Sequence, residues 1–158
     1  MNNTIAAKGK TGQTSSSLVP FLQHYGAYFA FGQALVAMLG SLYFSEVAHF
    51  IPCTLCWYQR ILMYPLVLIT LIGILKQDEY LPSYVLPFSM IGLGVSLYHY
   101  LIQLGILGDT ASCSGVACSV RYVNYLGFIT IPLMALTAFV VITIVMSATR
   151  WANGQFGE

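Results

Sequence analysis

The chain has 158 residues, of which 58% are hydrophobic and 7% charged, with a net charge of +1. Its mean hydropathy is +0.76. Soluble domains carry about a quarter of their residues as charges, so this balance excludes an ordinary soluble enzyme and indicates a one-domain integral membrane protein. The near-neutral charge also excludes a nucleic-acid-binding protein and a polybasic membrane anchor.

Met1 to Ser17 is polar, rich in Ser, Thr and Gly, and carries Lys8 and Lys10. It has no apolar core of the kind a cleavable signal peptide needs, so residues 1–20 are expected to form a flexible polar tail. Four apolar stretches follow, at His24–Phe44, Trp57–Leu75, Tyr84–Leu104 and Leu126–Ser147. Each has about the 20 residues that a helix needs to cross a bilayer. Backbone polar groups in lipid must be satisfied within the segment, so all four are expected to be helices. The polar link Lys76–Pro82 is short, and short links place neighbouring helices antiparallel. The expected architecture is an all-α, four-helix antiparallel transmembrane bundle over residues 21–149, with a short tail at 150–158.

Both termini are expected on the cytoplasmic side. That arrangement puts Lys8, Lys10, Lys76 and Arg150 inside and leaves Arg60 and Arg121 outside, as the positive-inside rule prefers. It also places Cys53, Cys56, Cys113 and Cys118 in the two outer loops, on the oxidising side where disulfides persist. Tyr25, Tyr28, Tyr80, Tyr84 and Trp151 form an inner aromatic belt. Tyr43, Trp57, Tyr58, Tyr98, Tyr100, Tyr122 and Tyr125 form an outer one. Gly26, Ala30 and Ala34, and then Ser89, Gly92 and Ser96, are small residues at helical spacing, which reads as helix packing. Pro65 and Pro132 are expected to bend their helices, and Gln33 to bond across helices.

The chemistry concentrates in Cys53-Thr54-Leu55-Cys56-Trp57-Tyr58-Gln59-Arg60. Pro52 suits a first helical turn. The unsatisfied N–H groups and positive dipole at such a helix start favour thiolate over thiol. Arg60, one turn beyond Cys56 on the same face, adds a permanent positive charge. It is suited to steady a Cys56 thiolate or a quinone oxygen. A structural zinc site using His49 with the cysteines is the competing reading. A fixed cation beside the thiols opposes it, so no metal site is assigned.

The run CTLCWYQR resembles the Cys-x-x-Cys-x-Tyr-x-Arg signature of DsbB-type membrane disulfide oxidoreductases, and of their compact BdbC-like relatives in particular. The similarity covers roughly Phe21 to Met146 and includes a second pair, Cys113 and Cys118, in Cys-Ser-Gly-Val-Ala-Cys. The resemblance implies a thiol:quinone oxidoreductase of the bacterial cytoplasmic membrane that supports disulfide formation in exported proteins. Its disulfides would be Cys53–Cys56 and Cys113–Cys118. A DsbA-like thioredoxin-fold thiol oxidase would donate electrons, by analogy at Cys113. Cys118 would then attack Cys53, and Cys56 beside Arg60 would face a membrane quinone, either ubiquinone or menaquinone.

Four intervening residues with Gly115 can close a small ring at the second pair, and either an exchanging bond or a loop staple fits that spacing. Members with longer loops space this pair more widely, so their loop geometry need not transfer. His99, late in the third span, is a candidate quinone donor beside Arg60, with a hydrogen-bonded bundle histidine as the plainer alternative. A vitamin-K-epoxide-reductase-like enzyme also uses four helices and two thiol pairs. In that family the loop pair precedes the helix-borne pair, the reverse of the order here. A non-enzymatic metal-binding or structural protein using the same cysteines is the remaining alternative.

Overall fold

A computed structural model describes residues 18–108, 118–119 and 130–154. All regular structure among them is helical: α1 at Leu18–Leu42, α2 at Thr54–Lys76, α3 at Leu81–Gln103 and α4 at Ile131–Gly154, with a π turn at Tyr43–Val47 continuing α1. Each of the four is long and apolar enough to cross a membrane. The all-α four-helix membrane fold read from the sequence is therefore the fold observed.

The helix limits differ from the apolar segments: α3 stops at Gln103 and α4 begins only at Ile131, whereas other ends run on. α1 starts at Leu18 and α4 runs on to Gly154, because backbone hydrogen bonding continues until something interrupts it, whether or not the residues are apolar. The Asn153 side-chain amide donates to the Glu79 carbonyl at 3.0 Å, tying the end of α4 to the turn between α2 and α3. That turn is tight. Gln77 adopts a left-handed φ of 52°, and the N–H groups of Gln77 and Asp78 bond the carbonyls of Ile74 and Gly73 at 3.2 and 3.0 Å. This double closure satisfies the last carbonyls of α2 and sends α3 back antiparallel.

Around the bundle α1 packs on α2 and α4, and α3 packs on α2 and α4, closing a ring of four. Its core is built from Ala34, Leu66, Val85, Phe139, Ile142 and Met146, all fully buried. The stripes of small residues lie at the helix contacts. A side chain on Gly92 would collide with the Phe139 ring, and one on Gly26 would collide with Thr149. Ser89 and Ser96 are buried beside Gly92 on the same helix. Leu39, Ile61, Leu68, Leu75 and Ile144 point outward and remain exposed, forming an apolar perimeter suited to lipid.

The described members of both aromatic belts are consistent with such a placement. Tyr25, Tyr28, Tyr80, Tyr84 and Trp151 are exposed near one end, and Tyr43, Trp57, Tyr58 and Tyr98 near the other, whereas Tyr100 is half-buried. Tyr122 and Tyr125 lie outside the described residues. Pro65 sits inside α2, and Pro87 inside α3. Pro132 is the second residue of α4 and not interior to it. A first-turn proline loses no helix hydrogen bond, so the expected bend there has no cause.

Candidate active site

The cysteine end of the bundle is organised by the start of α2. The helix begins at Thr54, two residues after Pro52, so Pro52 lies before the first turn instead of within it. Cys53 is the N-cap, and its sulfur accepts the Cys56 N–H at 3.4 Å. The residue spacing of a cap and the third helical position is also the spacing of Cys-x-x-Cys, so capping folds the two thiols together. Their sulfurs stand 2.9 Å apart, with both residues present as thiols.

Cys53 is 5% exposed and Cys118 1% exposed, and they pack with Leu55 and Ile102 in an apolar cluster that Cys56 and Val95 complete. The Cys56 thiol hydrogen bond, and then burial, push the Cys53 thiol up to about 12, against the opposing hydrogen bond from His99. The helix-start argument, which favours thiolate, is overridden at Cys53. A neighbouring thiol and a dry surrounding outweigh the helix end there.

His99 ties the site together. It is 1% exposed. Its Nε2 lies 3.2 Å from the Cys118 carbonyl oxygen and 3.7 Å from the Cys53 sulfur. Its Nδ1 lies 3.2 Å from the side-chain nitrogen of Gln59. A carbonyl oxygen can only accept, so Nε2 carries the proton and donates to Cys118. Nδ1 of the neutral ring is then the acceptor, and the Gln59 amide donates to it. The Cys53 and Cys118 sulfurs and His99 Nε2 all lie within 4.8 Å of one another. His49, weighed from the sequence as a partner of the cysteines, is instead exposed with a left-handed φ of 54°. The imidazole among the thiols is that of His99.

Arg60 is half-buried and lies one turn beyond Cys56 along α2. Its Nη2 donates to the Ser41 carbonyl at 3.1 Å, and its guanidinium carbon lies 5.7 Å from the centre of the Trp57 ring. The Ser45 hydroxyl donates to the same Ser41 carbonyl at 3.3 Å, at the entry to the π turn. Cys53, Cys56, Arg60 and His99 all border one cavity of about 350 Å³ that is lined by α1, α2, α4 and the end of α3. Most of its wall is apolar, including Val36, Ala37, Met63 and Phe139. Gln33 and Tyr64 line it too, and the Tyr64 hydroxyl oxygen is buried without a hydrogen-bond partner among the described residues. Cavities of this size and polarity suit small ring-shaped molecules.

Cys53, Cys56, Cys118, Arg60 and His99, singled out from sequence, therefore converge at one end of the bundle. Cys113 and Arg121 lie outside the described residues. Gln59 and Tyr64 were not singled out. Gln59 carried a readable signal, since a glutamine one turn beyond Cys56 in an apolar helix needs a partner inside the bundle. Tyr64 carried none, because an interior tyrosine in a span looks like any aromatic packing residue.

The model of the family "Disulfide bond formation protein DsbB" matches residues 24–149. The chain belongs to the DsbB family. It is 55% identical over 130 residues to disulfide bond formation protein C of Bacillus subtilis (strain 168), covering 81% of this chain and 94% of that one. It is 60% identical over 113 residues to a probable disulfide formation protein C of Halalkalibacterium halodurans, covering 70% of this chain and 82% of the relative. A probable disulfide formation protein C 1 of Bacillus anthracis is 48% identical over 124 residues. No solved structure matches the chain. Family and fold together make it a multi-pass bacterial membrane protein of disulfide oxidation, and the DsbB-type resemblance of CTLCWYQR is that of a true member.

Proposed function

We propose that this DsbB-family protein is a thiol:quinone oxidoreductase that reoxidises a DsbA-like thioredoxin-fold partner, with its cysteine end on the extracytoplasmic face. The observation that carries the reading is the order of groups in space. The Cys118 sulfur lies within 4.8 Å of the Cys53 sulfur, the Cys53 sulfur is 2.9 Å from that of Cys56, and Cys56 borders the cavity with Arg60.

In this reading the partner's dithiol reduces Cys113–Cys118. The Cys118 thiolate attacks the Cys53 sulfur of an oxidised Cys53–Cys56 pair. The Cys118–Cys53 bond forms, the Cys53–Cys56 bond breaks, and Cys56 leaves as a thiolate. Cys113 then attacks Cys118, which re-forms Cys113–Cys118, releases Cys53 and leaves Cys53 and Cys56 as the reduced dithiol. Arg60 sits one turn away to balance that charge. His99 donates from Nε2 toward Cys53 and the Cys118 carbonyl, so it holds the two attacking partners in register. Its nitrogens are occupied by these contacts and by Gln59, which assigns it to the thiol side of the site more than to the cavity.

The cavity fits a quinone ring: it is mostly apolar, adjoins Cys56, and is bordered by Arg60 and Tyr64. A quinone takes up two electrons and two protons, the amounts released when one dithiol becomes one disulfide. Arg60 would hold and polarise its nearer oxygen. The test is purified protein with a reduced thioredoxin-fold partner, followed by quinone absorbance. Turnover is expected for the wild type and none for Cys56→Ser; unchanged turnover in Cys56→Ser refutes the relay. Single Cys→Ser variants trap the mixed disulfide, and capture of the partner by Cys113→Ser would overturn the order of exchange.

A second reading rests on the same cluster. Cys53, His99 and Cys118 could hold a soft metal ion, since their ligand atoms lie within 4.8 Å of one another. It predicts stoichiometric metal in the purified protein and no thiol-dependent quinone reduction.

A further inference from the structure

We propose that Tyr64, with Gln33, binds the ring carbonyl of the quinone that lies farther from the thiols, and so sets how deeply the ring is seated. This rests on the quinone reading above. Tyr64 borders the same cavity as Cys56 and Arg60, yet its hydroxyl oxygen is buried and bonds no described residue. Buried tyrosine hydroxyls ordinarily find a partner, and leaving one unpaired is costly. A donor kept dry and unpaired on a cavity wall is set up for an acceptor that arrives with a ligand.

The spacing fits a para-quinone. Tyr64 lies four residues beyond Arg60 on α2, one turn along the same face and a rise of about 6 Å. The two oxygens of a para-quinone sit at opposite ends of its ring, a separation of the same order. A ring spanning these levels gives one oxygen to the guanidinium and accepts the Tyr64 O–H at the other. Gln33 brings an amide donor to the same wall from α1. Val36, Ala37, Met63 and Phe139 supply the apolar sides.

The test uses the oxidised full chain in detergent, which binds quinone without turning it over. Affinities for short-tailed ubiquinone and menaquinone analogues are measured by quenching of tryptophan fluorescence and by the quinone-induced rise in Tm. Tyr64→Phe is expected to weaken binding about tenfold, with the quinone-free Tm unchanged or higher because an unpaired buried hydroxyl has been removed. An analogue with one ring carbonyl, which the guanidinium takes, is expected to bind wild type and Tyr64→Phe alike. Gln33→Leu probes the same end of the cavity independently and is expected to weaken binding about threefold. Equal affinity for the two-carbonyl quinone in wild type and Tyr64→Phe overturns the proposal. So does a quinone-free Tm that falls in Tyr64→Phe, since the hydroxyl would then be structural. A wild-type protein that binds no quinone overturns the quinone reading itself.

Discussion

The side-chain nitrogen of Gln59 stands 3.2 Å from Nδ1 of His99, joining α2 to α3 beside the thiols. With the Cys118 carbonyl accepting from Nε2 at 3.2 Å, the imidazole is held in one tautomer and one orientation. One buried chain of hydrogen bonds thus runs from α2 through α3 to the segment bearing the second cysteine pair.

Gln59→Leu should release that ring. Leaving Nδ1 buried and unpaired is expected to cost about 1–3 kcal/mol of stability and to slow exchange between Cys118 and Cys53. Thermal unfolding in detergent and the histidine nitrogen resonances of labelled protein report the two effects. Wild-type stability with an unchanged imidazole spectrum would refute the assignment.

Arg60 is expected to act on the acceptor side alone. Arg60→Met should slow quinone reduction by about 100-fold, the scale of losing a charge-stabilising donor, while the single-turnover reaction with the reduced partner stays largely intact. Arg60→Lys should restore part of the rate, since it keeps the charge and loses the planar fork. Equal loss in both half-reactions would mean that Arg60 holds the fold through Ser41 instead.

The reduced pair should show an asymmetric pH response. With the Cys53 thiol near 12, its thiolate fraction rises about tenfold per pH unit below that value. Alkylation of Cys53 in reduced protein should therefore keep accelerating through about pH 9–11 with no plateau. Cys56→Ala removes the largest cause of the raised value, so the curve should move to lower pH and level off. Mass-spectrometric alkylation rates decide this, and an unmoved curve would place the cause in burial.

Gly92→Ala tests the bundle rather than the site. Its new methyl group meets the rigid Phe139 ring, so α3 and α4 must separate, and overpacking of this kind costs about 1–3 kcal/mol. A variant unfolding at the wild-type temperature would show that the ring can turn away freely.

Much of the fold was legible because its determinants are local. Four apolar runs, a short turn at Lys76–Pro82 and aromatic residues at their ends follow from solvation and length alone. The helix limits were less legible, since α1 and α4 continue through polar flanks that hydropathy cannot distinguish from loops. Pro132 looked like a bend because its place relative to the helix start depends on where α4 begins.

The site divides in the same way. Sequence alone determined that Cys53 and Cys56 stand at a helix start and that Arg60 shares the face of Cys56, since residues three and four apart on a helix are neighbours whatever surrounds them. That Cys53 is the cap came from the structure. Sequence also singled out Cys118 and His99. Only the tertiary structure decided that His99 bonds Gln59 and the Cys118 carbonyl, contacts spanning 40 and 19 residues, and that Tyr64 borders the cavity while its buried hydroxyl bonds no described residue. Those facts depend on how each helix is rotated about its axis. Helices that are apolar on every side carry no amphipathic stripe to announce that rotation, so packing contacts such as Gly92 against Phe139 set it.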